Sequence, residues 1–313
     1  MAKKQSLTVV IPTYNRAESL KKCFDSLRKQ TDKDFDVLII DGGSTDRTQE
    51  VIKQFAKKLI IRLIIDKTPH LSFIRDLGWR KAKGEIIAGI DDDVIVSKNW
   101  IKLIKQALRD KAIGGVTGPT VIPEKLLANR DVFLFHTTRN PFLKLLGEVY
   151  FKLFLQGEKY AVGKIYPSGA WSPGSNLPQA LKLKKPIEVD YLEACNFTVR
   201  RKTLKEIGGY DLNYKETSEW CEIDLAFRIR RAGYRLLFEP KIAVKHQVDP
   251  GGVFNRRKKV LVRLQNFLRF YFHRYYPKSL QGIILFFLYF QFLVVYYLYL
   301  FLRKSLKEAR KHP

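Results

Sequence analysis

The stretch Glu85-Ile-Ile-Ala-Gly-Ile-Asp-Asp-Asp93 limits what this chain can fold into more than any other. Ile86, Ile87 and Ile90 supply the β-branched character of a buried strand, and Gly84 marks its start. Three consecutive carboxylates cannot lie in a core unpaired. They are expected to emerge at the strand's carboxyl end, in water or on a cation. In an open α/β sheet that end is where ligands bind. Asp91 and Asp93, one residue apart on an extended chain, point the same way. Such a pair suits Mg2+ or Mn2+, held together with the phosphates of a substrate.

The chain before the triplet alternates strand and helix. Residues 7–12 (Leu-Thr-Val-Val-Ile-Pro) form a strand closed by Pro12 and the turn-forming Asn15. Residues 17–29 have helical spacing, with Leu20, Phe24 and Leu27 on one face. A second strand at 35–41 ends in Asp41-Gly-Gly-Ser-Thr-Asp46. A helix at 48–58, a strand at 59–65 and a helix at 72–83 follow. This alternation predicts an α/β fold, a mostly parallel sheet flanked by helices. Polar residues gather where the strands end: Thr13, Tyr14 and Arg16, then Asp41 to Asp46, then the three Asp. Neither Gly-x-Gly-x-x-Gly nor Gly-Lys-Ser/Thr occurs, so any nucleotide is held another way.

With 57 Lys+Arg against 31 Asp+Glu, the net charge of +26 calls for an anionic partner: nucleic acid, a phospholipid surface or a phosphorylated substrate. An apolar share of 46% is that of a globular protein rather than a disordered one. Cys23, Cys195 and Cys221 show no paired or metal-ligand spacing, and a short polar stretch precedes the first strand. Both features predict free thiols facing a reducing cytosol.

Four ordered motifs carry a resemblance: Val9-Val-Ile-Pro-Thr-Tyr-Asn-Arg16, Ile39-Ile-Asp-Gly-Gly-Ser-Thr-Asp46, Arg75-Asp-Leu-Gly78 with Lys83-Gly-Glu85, and Asp91-Asp-Asp93. Together they resemble the family 2 glycosyltransferases. The resemblance implies a GT-A fold and inverting transfer of sugar from a nucleotide-diphospho-sugar. It implies a donor site made by Pro12, Tyr14, Arg16, Asp41, Arg75, Asp91 and Asp92, with Asp41 on the base, Arg75 near the nucleotide or its phosphates and Asp92 near the ribose. It places Mn2+ or Mg2+ on Asp91 and Asp93. A divalent ion there would neutralise the diphosphate as it leaves. Gly42 and Asp76 depart from the Asp and Asn common in the family.

Further on, Tyr191-Leu-Glu-Ala-Cys-Asn-Phe-Thr-Val-Arg-Arg201, Gly208-Gly-Tyr-Asp211 and Pro240-Lys-Ile-Ala-Val-Lys-His246 extend the likeness. A helix at about 218–232 has Glu219, Glu222 and Asp224 in its first turns and Arg228, Arg230 and Arg231 in its last, which suits the helix dipole. The family keeps its general base here. Cys221-Glu222 stands where a Glu-Asp pair is usual, so Glu222 is the expected base, with Asp224 and Glu219 as rivals. His246 is, by the same resemblance, a metal or phosphate ligand.

The organisation expected is a nucleotide-sugar-binding half at 1–123, a variable insertion at 124–186, an acceptor and base half at 187–254, and a basic linker with a hydrophobic segment at 255–313. In the insertion Phe142, Leu145, Leu146, Val149, Leu153 and Phe154 recur at helical spacing beside lysines, to pack on the sheet or lie in a membrane interface. Arg256, Arg257, Lys258, Lys259, Arg263, Arg269, Arg274 and Lys278 precede a charge-free run, 279–302, longer than the roughly 20 residues that span hydrocarbon. Span, re-entrant hairpin and in-plane anchor all fit it, and truncation before Ser279 is expected to leave a soluble, donor-binding protein. The reading is a membrane-associated, metal-dependent inverting glycosyltransferase on the cytoplasmic face of the cell membrane. Its partners are a nucleotide-diphospho-sugar, a lipid-linked or glycan acceptor and an anionic membrane surface. A non-catalytic basic module binding anionic lipid or nucleic acid is the alternative. It leaves Asp91 to Asp93 without a reason, and no nucleic-acid motif is present.

Overall fold

The computed structural model describes residues 6–68, 70–127, 134–216, 218–249, 260–275 and 279–309. Strand and helix alternate through β1 (Leu7–Thr13), α1 (Ala17–Arg28), β2 (Phe35–Asp41), α2 (Thr48–Phe55), β3 (Ile61–Ile65), α3 (Leu71–Lys81) and β4 (Ile86–Gly89). The acidic triplet leads into β5 (Val94–Val96), α4 (Trp100–Ala107), β6 (Ile113–Thr117) and β7 (Thr120–Val121). Single-turn helices α5 (Glu124–Leu127) and α6 (Leu134–Thr137) precede α7 (Pro141–Phe154). The second half holds β8 (Ile187–Glu188), β9 (Phe197–Arg200), α8 (Arg201–Glu206), α9 (Cys221–Arg231), β10 (Arg235–Phe238) and β11 (Val244–His246). It closes with α10 (Val260–Phe270), a π-helical turn at Tyr271–Tyr275 and α11 (Leu280–Ala309).

Among the described residues, eight strands form one sheet in the order β3-β2-β1-β4-β9-β6-β10-β8. The chain builds outward from β1 to β3, then returns to place β4 on the other side of β1. That reversal opens a crevice at the carboxyl ends of β1 and β4. The sheet is mostly parallel, as expected, but β9 runs antiparallel between β4 and β6, and β8 antiparallel to β10. A Cβ at Gly89 would run into the Phe197 ring, so this glycine lets β9 lie against β4. A small sheet, β5-β11-β7, pairs His246 with Val94 and so brings the end of β11 beside the acidic triplet.

Alternate residues of β1 and β2 feed two cores. Val9, Ile11, Val37 and Ile39 pack with Leu20, Phe24 and Leu27 of α1 and with Trp100 of α4. Val10, Leu38 and Ile40 face Ile74 and Trp79 of α3, and that core runs on into α9, α10 and α11.

Two expectations for the apolar segments change. On α7 the packed face is Leu143, Gly147, Tyr150, Phe151 and Phe154, while Phe142, Leu145, Val149 and Leu153 of the expected stripe are exposed. The helix is apolar over more than half its circumference, and spacing alone does not say which part is covered. The hydrophobic run forms α11, and it is not left bare on all sides. Phe286, Tyr289, Leu293 and Tyr296 are buried in the same core as Tyr150, Phe154, Phe267 and Tyr271. Of the basic residues before α11, Arg263, Arg269 and Arg274 pair with Glu219, Asp211 and Asp224. Arg256, Arg257, Lys258, Lys259 and Lys278 lie outside the described residues.

Candidate functional site

The crevice between β1 and β4 is lined by Pro12, Arg75, Gly89, Asp91, Ala194 and Tyr210. Tyr14, just past β1, is exposed and lies across Gly42, where a Cβ would come within 3.2 Å of its ring. The missing side chain at position 42 thus makes room for the aromatic ring. Asp41 ends β2 fully buried. Its Oδ1 accepts from the backbone N and the hydroxyl of Ser44, at 2.9 and 2.6 Å, and its Oδ2 from Gln49 at 3.3 Å. One oxygen therefore holds the loop that follows the strand and the other the first turn of α2.

The three Asp part company. Asp91 keeps a quarter of its side chain exposed, whereas Asp92 and Asp93 are buried. The expectation that all three emerge into water or onto a cation is corrected for Asp92. Its oxygens take the Thr13 hydroxyl at 2.7 Å and the Arg16 guanidinium, so a side chain 76 positions away supplies the counter-charge. Burial still pushes the Asp92 carboxyl up to about 7 against the pull of Arg16. Arg16 is thereby turned inward, with Asp93 a further 3.6 Å contact, rather than toward solvent.

Asp93 sits 3.1 Å from His246 Nε2 and accepts the backbone N–H of Asp249 at 2.9 Å. Burial opposes its charge, but the bond and charge of His246, with Arg16, hold its carboxyl below the usual range. Cys195, at the approach to β9, lies 3.0 Å from Asp91 Oδ2 and 3.7 Å from His246 Nδ1. Ligand atoms of Asp91, Cys195 and His246 all fall within 4.8 Å of one another. The three can converge on one divalent cation: the carboxylate, the most exposed of them, suits Mn2+ or Mg2+, while the buried imidazole and thiol are softer donors. Cys195 lies inside a quoted motif, yet no role attaches to it in the sequence because its partners are about 50 and 104 positions away.

Of the three acids proposed for the base, the structure brings Glu222 to the crevice. It stands in the first turn of α9 and pairs with Arg75, which also reaches Asp91 at 3.6 Å and Cys221 Sγ at 3.9 Å. Asp224, also expected among the catalytic residues, is fully buried, with Arg228 Nε at 2.8 Å, Arg274 Nε at 2.6 Å and the Tyr214 hydroxyl at 3.3 Å. Its carboxylate is committed to holding the C-terminal segment and offers nothing to a substrate. Glu219 is bound by Arg263 Nε at 2.7 Å. Trp220 caps α9 in the left-handed region (φ 78°), a strained conformation for a bulky residue, and turns the chain so that Glu222 enters the crevice.

A doubly wound sheet with acids, arginine and histidine at its switch point is the GT-A architecture of nucleotide-sugar enzymes. A mannosyltransferase from Pyrobaculum calidifontis, solved with GDP-Man and Mn2+, matches at TM-score 0.56 and 18% identity, covering 86% of this chain and 64% of that one. The S. aureus TarS fragment 1–349, solved with UDP-GlcNAc, matches at TM-score 0.57 and 15% identity, covering 83% and 65%. At such identities the likeness shows the fold. Residues 8–154 match the glycosyl transferase family 2 model, and that stretch is a family 2 glycosyltransferase domain.

Curated relatives include the uncharacterized glycosyltransferase EpsJ of Bacillus subtilis, 29% identical over 136 residues, which are 40% of this chain and 39% of EpsJ. Validoxylamine A glucosyltransferase of Streptomyces hygroscopicus subsp. jinggangensis is 33% identical over 105 residues, 32% of this chain and 25% of the relative. The chain spans well under half the length of these relatives.

Proposed function

We propose that the chain is an inverting glycosyltransferase that moves a sugar from a nucleotide-diphospho-sugar to an acceptor hydroxyl or phosphate. The observation that carries this reading is the line Glu222–Arg75–Asp91 across the β1/β4 crevice. Arg75 is a buried cation without bulk solvent, the setting in which a guanidinium grips a phosphate well. When a donor diphosphate takes Arg75, Glu222 is released from its ion pair and can accept the proton of an acceptor hydroxyl. Tyr14 offers an exposed aromatic face for the base, and Asp41 holds the loop beside it.

Asp91 and His246, which converge with Cys195, would hold Mn2+ or Mg2+, and Asp93 behind the His246 ring would orient it or complete the set. A bound divalent ion supplies charge neutralisation to the diphosphate leaving group. Arg16 lies against both Asp92 and Asp93 and offsets part of their mutual repulsion. We assign the site to the cytoplasmic side of a membrane, where nucleotide-sugars and three free, buried thiols are at home, and take the acceptor to be lipid-linked or a glycan.

Full-length protein with Mn2+ and a panel of UDP-, GDP- and TDP-sugars should release nucleoside diphosphate from one donor. E222Q should cut that release by about 10²–10⁴-fold with donor binding retained. Failure of every donor to bind, with either metal, would overturn the reading.

A further inference from the structure

Two packed helices each expose an apolar row. On α11, buried residues recur at Phe286, Tyr289, Leu293 and Tyr296, and the opposite face shows Ile284, Phe287, Leu288, Val295 and Leu298 to solvent. No charged residue interrupts the run from 279 to 302. An ordinary surface helix carries charge on its outer face, and this one carries none. On α7, Phe142, Leu145 and Val149 form a second exposed apolar row at spacings of three and four, with exposed Lys144, Glu148 and Lys152 on the neighbouring polar side, where Lys159 pairs with Glu148. The helices are joined: the Phe154 ring lies 5.1 Å from Tyr289 and 5.4 Å from Phe292, and Tyr150 lies 5.4 Å from Phe292.

The inner face of α11 decides how such a surface can meet lipid. It is seated on the domain core along several turns, above α10, whose Arg263 and Arg269 are paired with Glu219 and Asp211. Crossing a bilayer would require α11 to abandon those aromatic contacts or to draw the charged pairs into hydrocarbon, which is expensive. Lying in the interface requires neither. The outer faces of both helices can then enter the boundary of head groups and acyl chains by about 5–10 Å, with lysines at the phosphates. A net charge of +26 favours an anionic bilayer over a second, equally cationic copy of the chain.

We propose that the exposed faces of α7 and α11 form a single monotopic docking surface for an anionic bilayer, with α11 in the membrane plane. Exposure and charge define this surface, independently of sugar transfer. Trp220, at the start of α9, stacks on Phe270 and touches Phe267, which in turn stacks on Phe286 of α11. One layer of rings thus separates the α9 N-terminus from the docking helix.

Flotation of the full-length protein with phosphatidylcholine vesicles, with and without phosphatidylglycerol, tests the surface. The protein should float with both, more completely with the anionic lipid, and stay bound in high salt. L145E/V149E, two exposed positions on α7, should lower the bound fraction about tenfold or more while the thermal midpoint holds. Flotation unchanged in that variant would remove α7 from the surface and overturn the proposal. Single cysteines at the two ends of α11, S279C and S305C, decide its orientation, since the native thiols are buried. An impermeant maleimide added to sealed vesicles should label both. Labelling of one end alone would mean a membrane span. A lipid-free dimer that L145E/V149E splits into monomers would mean an interface between copies. Either result overturns the proposal.

Discussion

Glu222 and Asp224, two residues apart on α9, project about 200° apart around the helix and meet opposite surroundings. One faces the crevice and Arg75, the other is enclosed by Arg228 and Arg274. Their amide variants should therefore fail differently. E222Q is expected to lose turnover in the folded molecules, with a smaller loss of stability because Arg75 keeps Asp91 at 3.6 Å as a counter-charge. Asp224→Asn leaves Arg228 without its counter-ion and Arg274 with Asp211 alone, and should cost about 3 kcal/mol of stability in urea unfolding. Residual turnover per folded molecule should change little. Around the triplet, His246→Ala should weaken Mn2+ binding about 10–100-fold in calorimetry, because the ring sits between Asp93 and Cys195. Cys195→Ser exchanges a soft donor for a hard one, so the preference for Mn2+ over Mg2+, read by metal titration of nucleotide binding, should fall.

At the scale of elements, α6 and α7 are held to α11 by aromatic rings, and His136 is enclosed among them. Its ring lies 4.7 Å from Phe151 and 5.4 Å from Tyr160, and neither ring nitrogen has a hydrogen-bond partner among the described residues. Burial, and then the nearby Lys159 charge, lower its pKa to about 4. The unfolded chain titrates near 6.5, so between about 6.5 and 4 it binds more protons than the folded one. Stability contributed by the neutral ring is complete above pH 6.5 and is lost as pH falls through that window, on the order of 1–2 kcal/mol. Asp92, whose carboxyl is raised to about 7, acts with the opposite sign in the same window, so the readout is a difference: the urea midpoint of His136→Phe should rise relative to that of the wild type as pH falls from 7 to 5.

For the whole molecule, α11 is the piece that changes most between sequence and structure. Phe286, Tyr289, Leu293 and Tyr296 are each nearly fully buried, and at about 1.5–3 kcal/mol apiece they rival the net stability of a typical domain. Truncation before Ser279 would uncover Tyr150, Phe154, Phe267 and Tyr271. The truncated chain should be mostly insoluble, or bind a hydrophobic dye strongly, rather than be the well-behaved donor-binding protein that an independent anchor would leave. Charges placed on the outer face of α11, as in Ile284→Glu, should instead preserve folding.

By itself the sequence determined the features that repeat at short range. The two-residue rhythm of 7–12 and 35–41, the apolar spacing of α1 and the break at Gly84 mark elements because each depends on neighbours a few positions away. The acidic triplet was legible for the same reason, since it sits at the end of a recognisable strand, whereas Glu222 was singled out from Glu219 and Asp224 only by the family resemblance. Tertiary structure alone decided which acids are spent on packing. Arg16 reaches Asp92 over 76 positions, Arg274 reaches Asp224 over 50, and His246 meets Asp93 only because β11 pairs with β5. The same holds for α7 and α11, whose apolar residues exceed what one face can bury. Periodicity states how much apolar surface a helix has. Which side is covered depends on the neighbour that packs there, and that neighbour comes from elsewhere in the chain.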